Sequence, residues 1–107
     1  MRADARRRLE LDAGVTEELL SPRLDGELQL LHVRFAPGAG GSDGPRTHAG
    51  EEAGCVLSGI LEVTLGDETF ILEAGDSYHF SSDIPHRYHN PGAIDAVVVH
   101  ALTPPLL

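Results

Sequence analysis

Turn-forming residues divide this chain into segments that are too short for helices of ordinary length. Its 107 residues include 12 glycines and 7 prolines, and the densest loop, at residues 37–45, reads PGAGGSDGP. Turn signals recur about every 8 to 12 residues, which is typical of all-β domains. Between the turns, apolar and polar residues alternate, as in residues 28–35 (LQLLHVRF). The pattern predicts an all-β protein, an antiparallel barrel or jelly roll with little helix.

Alternation also predicts which side chains form the core. In residues 28–35, Leu31, Val33 and Phe35 share one face, so His32 and Arg34 should point away from the core. The run AVVV at residues 96–99 is typical of a strand that is buried on both sides. The expected core face is formed by Leu61, Val63, Leu65, Leu72, Val97 and Val99.

Length and charge limit the classes of protein that the chain can belong to. Residues 1–107 are expected to form one domain, with the barrel core at about residues 28–103. No apolar run approaches the roughly 20 residues of a membrane span, and no signal peptide opens the chain, which predicts a cytoplasmic protein. The net charge of −9 predicts that these residues alone do not bind DNA, since DNA binding needs a basic face.

Two stretches carry the residues with chemical function. In residues 44–59 (GPRTHAGEEAGCVLSG), Arg46, His48 and Glu52 have the same parity, so in a strand they share one face. In residues 75–92 (GDSYHFSSDIPHRYHNPG), His86 and Asn90 also have matching parity, as does Tyr88. Charged groups are costly to bury without partners, so the two stretches are interpreted as two halves of one interior site.

Two imidazoles and one carboxylate form the ligand set that leaves positions open on a divalent metal. We therefore predict a metal site at His48, Glu52 and His86, for iron, zinc, nickel or manganese. Ligand contacts are predicted for Arg46, Tyr88 and Asn90, and Asn90 is also expected beside the metal ligands, where it could hold one of them by a hydrogen bond. Two alternatives stay open: Arg46 neutralises Glu52 and no metal binds, or Arg46 holds an anionic ligand.

The same residues carry a resemblance to a known family. The pattern His48-x3-Glu52-x6-Gly59, followed by Pro85-His86-x3-Asn90, resembles the paired motifs of the cupins, small double-stranded β-helix barrels. Arg46 stands where the first histidine of the first motif is expected. The phrases HAGEEAGCVLSGILEVTLGDETFILEAGDS and PHRYHNPG are most similar to the C-terminal cupin sensor of XRE-type helix-turn-helix regulators.

The resemblance implies a domain that senses a small molecule, anionic or amino-acid-like, inside the barrel. DNA binding would then belong to a helix-turn-helix domain outside these residues. A homodimer is expected, formed through strand edges at residues 6–11 or 28–35, because open edges need cover and regulators bind paired half-sites. The alternative is a metal-dependent enzyme, an oxygenase, isomerase or epimerase, since iron-dependent epoxidases of this family share the His-x3-Glu…His spacing. A freestanding structural or storage protein is a third reading.

Overall fold

The computed structural model describes residues 1–23, 25–41 and 44–105. Within these ranges the chain forms nine β-strands and one 3-10 turn at Ala3–Ala5. The strands are β1 (Arg8–Asp12), β2 (Val15–Leu19), β3 (Gln29–Phe35), β4 (Glu51–Ser58), β5 (Ile60–Leu65), β6 (Glu68–Glu73), β7 (Ser77–Ser81), β8 (His86–His89) and β9 (Ala96–Thr103). No helix in the described residues is long and apolar enough to cross a membrane.

The strands form two antiparallel sheets. The larger sheet has six strands in the order β1-β2-β3-β9-β4-β7, and the smaller has three in the order β6-β5-β8. From β4 onward the chain passes repeatedly from one sheet to the other: β5 and β6 lie in the smaller sheet, β7 in the larger, β8 in the smaller and β9 in the larger, as in a jelly roll. The predicted all-β jelly roll is confirmed.

The core lies between the inner faces of the two sheets. β3 shows the expected alternation, with Leu31, Val33 and Phe35 buried and Arg34 exposed. On β5 of the smaller sheet, Leu61 and Val63 are 0% and 1% exposed. The buried apolar residues that form the core are Val15, Leu19, Leu31, Val33, Phe35, Ala39, Val56, Leu61, Val63, Phe80, Ala96, Val98 and Leu102.

The prediction that Val97 and Val99 of β9 face the core was wrong, because the inward side chains are those of the alternate residues. Val98 and not Val97 or Val99 belongs to the core, together with Ala96 and Leu102. Val97 is also buried, but it lies on the opposite face of the sheet, as strand alternation requires. Three successive valines contain no polar residue that would indicate which parity faces inward. Of the other predicted core residues, Leu65 and Leu72 are partly buried and pack against the core.

The N-terminal strands belong to the same sheet. Val15 and Leu19 of β2 are core residues, so the packed region begins before residue 28. β3 lies between β2 and β9 and therefore has no free edge. The expectation that residues 28–35 offer an edge for dimerisation was wrong, because the preceding strand already covers it. β1 is one of the two outer strands of this sheet, and β7 is the other.

Candidate metal centre and its cavity

The three predicted metal ligands converge, although the local structure differs from the predicted one. Residues 46–52 do not form a continuous strand: Arg46 makes an isolated bridge to His86, and β4 begins at Glu51. Gly50 lies between them with φ +95, in the left-handed region that favours glycine. The parity argument therefore does not apply to this segment, and a turn brings His48 and Glu52 together.

Backbone contacts fix this turn against two other parts of the chain. The His48 N–H donates to the Ser82 carbonyl over 3.0 Å, and the Ser82 N–H donates to the Gly50 carbonyl over 2.9 Å. A Cβ atom on Gly50 would lie 1.6 Å from the Thr103 carbonyl oxygen. Glycine is required here because the end of β9 packs directly on the turn.

The side chains of His48, Glu52 and His86 surround one point. Nε2 of His48 is 3.0 Å and Nε2 of His86 is 3.4 Å from Glu52 Oε2. Each residue offers a ligand atom, and these atoms all lie within 4.8 Å of one another. The two imidazole rings meet edge to face with centroids 5.1 Å apart. Such a group can hold one divalent ion with positions left for other ligands.

Hydrogen bonds orient both imidazoles for this role. Nδ1 of His86 is 2.8 Å from the Ile84 carbonyl, and Nδ1 of His48 is 3.0 Å from the Ala49 carbonyl. A carbonyl can only accept, so each Nδ1 carries the proton and donates it. Nε2 of a neutral ring then presents a lone pair toward the Glu52 carboxylate. A cation, such as a divalent metal ion, can bind between acceptors that face each other in this way.

Glu52 is held as a carboxylate with its two oxygens in different surroundings. Ser82 Oγ donates to Oε2 over 2.7 Å, and the Tyr88 hydroxyl donates to Oε1. Burial raises the pKa of Glu52, but the hydrogen bonds from Ser82 and Tyr88 and the charges of nearby histidines outweigh it, so the pKa lies below its usual value. Oε2 therefore faces the two imidazoles while Oε1 faces the interior of the protein.

Sequence reasoning missed two residues beside Oε1. His100 of β9 lies with Nε2 3.8 Å from Glu52 Oε1, and its Nδ1 is hydrogen-bonded to the Tyr78 hydroxyl at 2.6 Å. Burial lowers the pKa of His100 to about 4, against the opposing charge of Glu52, so the ring is neutral at neutral pH. Burial also raises the pKa of Tyr78 and that of Tyr88, which keeps both as phenols.

Gly54, a glycine inside a strand, is the sequence feature that could have indicated a close approach by a large side chain such as Tyr78. Gly54 is paired with Tyr78 across β4 and β7, and a Cβ on Gly54 would lie 2.2 Å from the Tyr78 hydroxyl oxygen. The glycine leaves the space that the phenol ring occupies. His100 had no comparable signal, because its inward parity depends on the phase of the valine run.

The site opens into a cavity of about 350 Å³ between the two sheets. Tyr88 lines this cavity as predicted, and Arg46 lies exposed on its rim. Within the described residues the ion-pair partners of Glu52 are imidazoles, so the alternative in which Arg46 neutralises Glu52 is not what is found. The lining residues are Val15, Glu17, Gln29, Leu31, Val33, Phe35, Gly40, Gly41, Gly44, Arg46, His48, Glu52, Tyr78, His86, Arg87, Tyr88, Val98, His100 and Leu102.

Asn90 has a structural position and does not line the cavity. Its side chain is 0% exposed, and its Nδ2 donates to the carbonyls of Phe35 and Ile94 over 3.0 and 2.8 Å. Its Oδ1 accepts from the Gly92 N–H over 2.9 Å. The expectation that Asn90 lies beside the metal ligands or touches a ligand does not fit this position, because backbone groups of β3 and of the loop after Asn90 already occupy its polar atoms.

We expect Asn90→Ala to destabilise the fold by about 3 kcal/mol, since it leaves two carbonyls and one N–H without their partner. Urea denaturation followed by circular dichroism measures this change. The folded variant should bind zinc as the parent does, because no contact of Asn90 reaches His48, Glu52 or His86. Unchanged stability with weakened zinc binding would contradict the structural role.

A jelly roll with a His/Glu cluster beside the cavity between its two sheets defines the class of small cupin-type β-proteins. The model of the cupin domain family matches residues 31–102. The chain belongs to this family.

Two curated relatives illustrate the range of proteins that contain a similar segment. The HTH-type transcriptional regulator PuuR of Escherichia coli K12 is 35% identical over 78 residues, which are 72% of this chain and 41% of that protein. The alginate biosynthesis protein AlgA of Pseudomonas aeruginosa is 33% identical over 76 residues, 71% of this chain and 16% of that protein. The chain thus spans less than half the length of these relatives.

Solved structures show the same fold. An RmlC-like cupin from Shewanella frigidimarina has a TM-score of 0.84 and 19% identity, with 99% of this chain and 90% of that chain covered. The Cupin_2 domain of an XRE family transcriptional regulator from Enterobacter cloacae has a TM-score of 0.74 and 24% identity, with 86% and 98% covered. The resemblance to regulator cupin domains predicted from the sequence is confirmed.

Proposed function

We propose that this chain is the ligand-sensing cupin domain of a transcriptional regulator. A small molecule would fill the cavity, and His48, Glu52 and His86 would hold a divalent metal at its inner end. The observation that carries the proposal is that this His/Glu cluster opens into a cavity of about 350 Å³, a volume suited to a small metabolite. The identity shared with PuuR supports the regulatory role.

The donor set supports metal binding. Both Nε2 atoms are directed by Nδ1 hydrogen bonds to carbonyls, as is usual for metal-binding histidines, and Ser82 and Tyr88 hold the carboxylate. Nitrogen and carboxylate ligands of this kind suit iron, zinc, nickel or manganese. A bound metal would supply a positive charge at the end of the cavity, where an oxygen of the ligand can bind. Arg46 and Tyr88 would contact the ligand itself.

The remainder of the regulator would carry out DNA binding. The net charge of −9 makes this domain a poor partner for phosphate backbones, so a helix-turn-helix domain attached to it would bind DNA. A homodimer in the cytoplasm is part of this proposal, because paired half-sites call for paired subunits. β1, an outer strand of the larger sheet, would offer an edge for strand pairing between copies.

Metal analysis of the purified chain combined with thermal denaturation tests the proposal. We expect about one divalent ion per chain and a rise in the unfolding temperature on adding zinc or iron(II), because a metal that binds the folded state stabilises it. A screen of small metabolites should then raise the unfolding temperature further. Absence of metal binding and of any stabilising metabolite would contradict the proposal.

A second candidate function is a metal-dependent enzyme. The observation in its favour is that His100, Tyr78 and Tyr88 form a hydrogen-bonded group beside Glu52 and on the cavity wall. Such groups can hold or move a proton at a bound substrate. If the metabolite identified by stabilisation is converted by the metal-loaded chain, the enzyme reading is correct. If it is recovered unchanged, sensing is favoured.

A further inference from the structure

His100 is an inward-facing residue of β9 that stands apart from the three candidate metal ligands. It has the same parity as the core residues Val98 and Leu102, and its side chain is 12% exposed. It lines the cavity, but it is not part of the group whose ligand atoms all lie within 4.8 Å of one another. His100 is therefore placed to contact a molecule in the cavity rather than to hold the metal.

Two phenol rings hold the imidazole of His100 in place. Its Nδ1 is 2.6 Å from the Tyr78 hydroxyl oxygen, and the centroids of these two rings are 5.8 Å apart. The ring of Tyr88 meets the imidazole edge to face, with the centroids 5.6 Å apart. These contacts direct the other ring nitrogen, Nε2, toward Glu52 and the cavity.

Nε2 of His100 carries a hydrogen. It lies 3.8 Å from Glu52 Oε1, and a ring with its one hydrogen on Nδ1 would turn a lone pair toward this carboxylate. The favoured arrangement is the one in which the Tyr78 hydroxyl donates to Nδ1 and Nε2 bears the N–H. A doubly protonated ring also carries a hydrogen at Nε2, so the N–H faces Glu52 in either charge state.

This N–H is available to a molecule in the cavity. A distance of 3.8 Å is longer than a hydrogen bond, and Glu52 Oε1 already accepts the Tyr88 hydroxyl. Among the described residues, every buried side-chain nitrogen and oxygen has a hydrogen-bond partner, so an Nε2 atom without one is reachable from the cavity. An oxygen atom of a ligand is an acceptor that this N–H can bind.

The cavity wall beside His100 is apolar. Burial of a hydrocarbon chain against such a wall is favourable, whereas a polar chain would lose its hydration there. Glu17 interrupts the wall, at a position where the charge of Arg46 acts on its carboxyl group. The apolar lining residues come from three neighbouring strands and are Val15 of β2, Leu31, Val33 and Phe35 of β3, and Val98 and Leu102 of β9.

From this arrangement we infer that His100 binds the head group of the ligand, and that the ligand is a short aliphatic carboxylate. One carboxylate oxygen accepts the Nε2 hydrogen of His100. The other faces the metal centre, since His100 and the metal-binding imidazoles flank the same Glu52 side chain. The hydrocarbon chain lies along the apolar wall. This inference rests on the proposed sensing function and names its ligand class.

Isothermal titration of the zinc-loaded chain tests the inference, with straight-chain alkanoates from acetate to octanoate as probes. Each alkanoate is compared with the primary alcohol and the primary amide of the same length. We expect the best alkanoate to bind at least about tenfold more tightly than both, because hydrogen bonds to a charged acceptor are about twice as strong as neutral ones. Each added methylene should strengthen binding about threefold until the cavity is filled. Zinc content is measured in the same samples.

Substitutions at position 100 separate the role of the N–H from that of the ring. His100→Phe keeps a ring without the N–H, and it should weaken alkanoate binding about tenfold with the affinity for zinc unchanged. His100→Gln restores an N–H donor and should bind within about threefold of the parent. His79→Phe is the matched control, because His79 is exposed on β7 and does not line the cavity. If His100→Phe does not fold, the three classes of probe on the parent chain decide alone.

If the alkanoates bind no more tightly than the alcohols and amides, if chain length has no effect, or if His100→Phe and His79→Phe bind them equally, the inference is overturned. Stabilisation of the metal-loaded chain by another class of metabolite would in that case leave the proposed function standing. A chain that binds no metal would count against the proposed function itself, and so the two failures are distinguishable.

Discussion

Replacing Glu52 by glutamine is expected to lower the affinity of the chain for zinc by more than about 100-fold. Loss of a residue that merely supports a metal ligand already costs about 10 to 100-fold, and Glu52 supplies the negative charge to which both imidazoles point. Glutamine keeps the size of the side chain but places an uncharged amide at the metal. Competition with a fluorescent zinc chelator measures the affinity.

Glu51→Gln is the matched control for this substitution. Glu51 is the adjacent residue of β4, but it points outward and pairs with His79 over 2.8 Å on the exposed face. Ser82→Ala should give an intermediate loss of about tenfold, because it removes one hydrogen bond to Oε2. Equal affinities of Glu52→Gln and Glu51→Gln would mean that zinc binds elsewhere.

The second large effect is expected at Gly50. We expect Gly50→Ala to destabilise the chain by about 4 kcal/mol or more, because its Cβ would lie 1.6 Å from the Thr103 carbonyl oxygen and the backbone would have to move. The positive φ of +95 adds strain of its own for any residue with a Cβ. Urea denaturation at equilibrium measures the loss.

Gly75→Ala separates the steric effect from the conformational one. Gly75 has a nearly identical φ of +91, but nothing lies within 4 Å of the position of its Cβ. Its substitution should cost about 1–2 kcal/mol, the price of the left-handed conformation alone. If the two variants prove equally stable, the inference that the end of β9 packs directly against Gly50 is contradicted.

The all-β class and much of the core face could be predicted from the sequence, because turn residues and the alternation of apolar and polar residues are local features. Leu61 and Val63 were placed correctly in the core, since the polar Glu62 between them marks the opposite face of β5. The valine run of β9 could not be phased, because a strand buried on both faces has no polar marker. The orientation of β9 bears on the candidate site, since His100 has the same inward parity as Val98 and lies beside Glu52.

His48, Glu52 and His86 were predicted correctly to form a cluster that could hold a metal, but the strand-parity argument behind that prediction does not fit the structure. His48 and Glu52 meet through a turn at Gly50 and not through strand alternation. The position of Glu17 on the cavity wall was not predicted from the sequence, because that wall is assembled from strands distant in sequence.

The two oxygens of the Glu52 carboxylate have different partners, and this difference would couple ligand binding to metal binding. Oε2 faces the two imidazoles, and Oε1 accepts the Tyr88 hydroxyl on the cavity wall. A ligand that drew the Tyr88 hydroxyl to itself would leave more negative charge on the carboxylate and tighten its hold on the metal. By thermodynamic linkage the metal would strengthen ligand binding by the same factor. If the proposed sensing function holds, the supply of metal would then set the concentration of metabolite at which the protein responds, and Glu52 would make that response depend on metal and metabolite together.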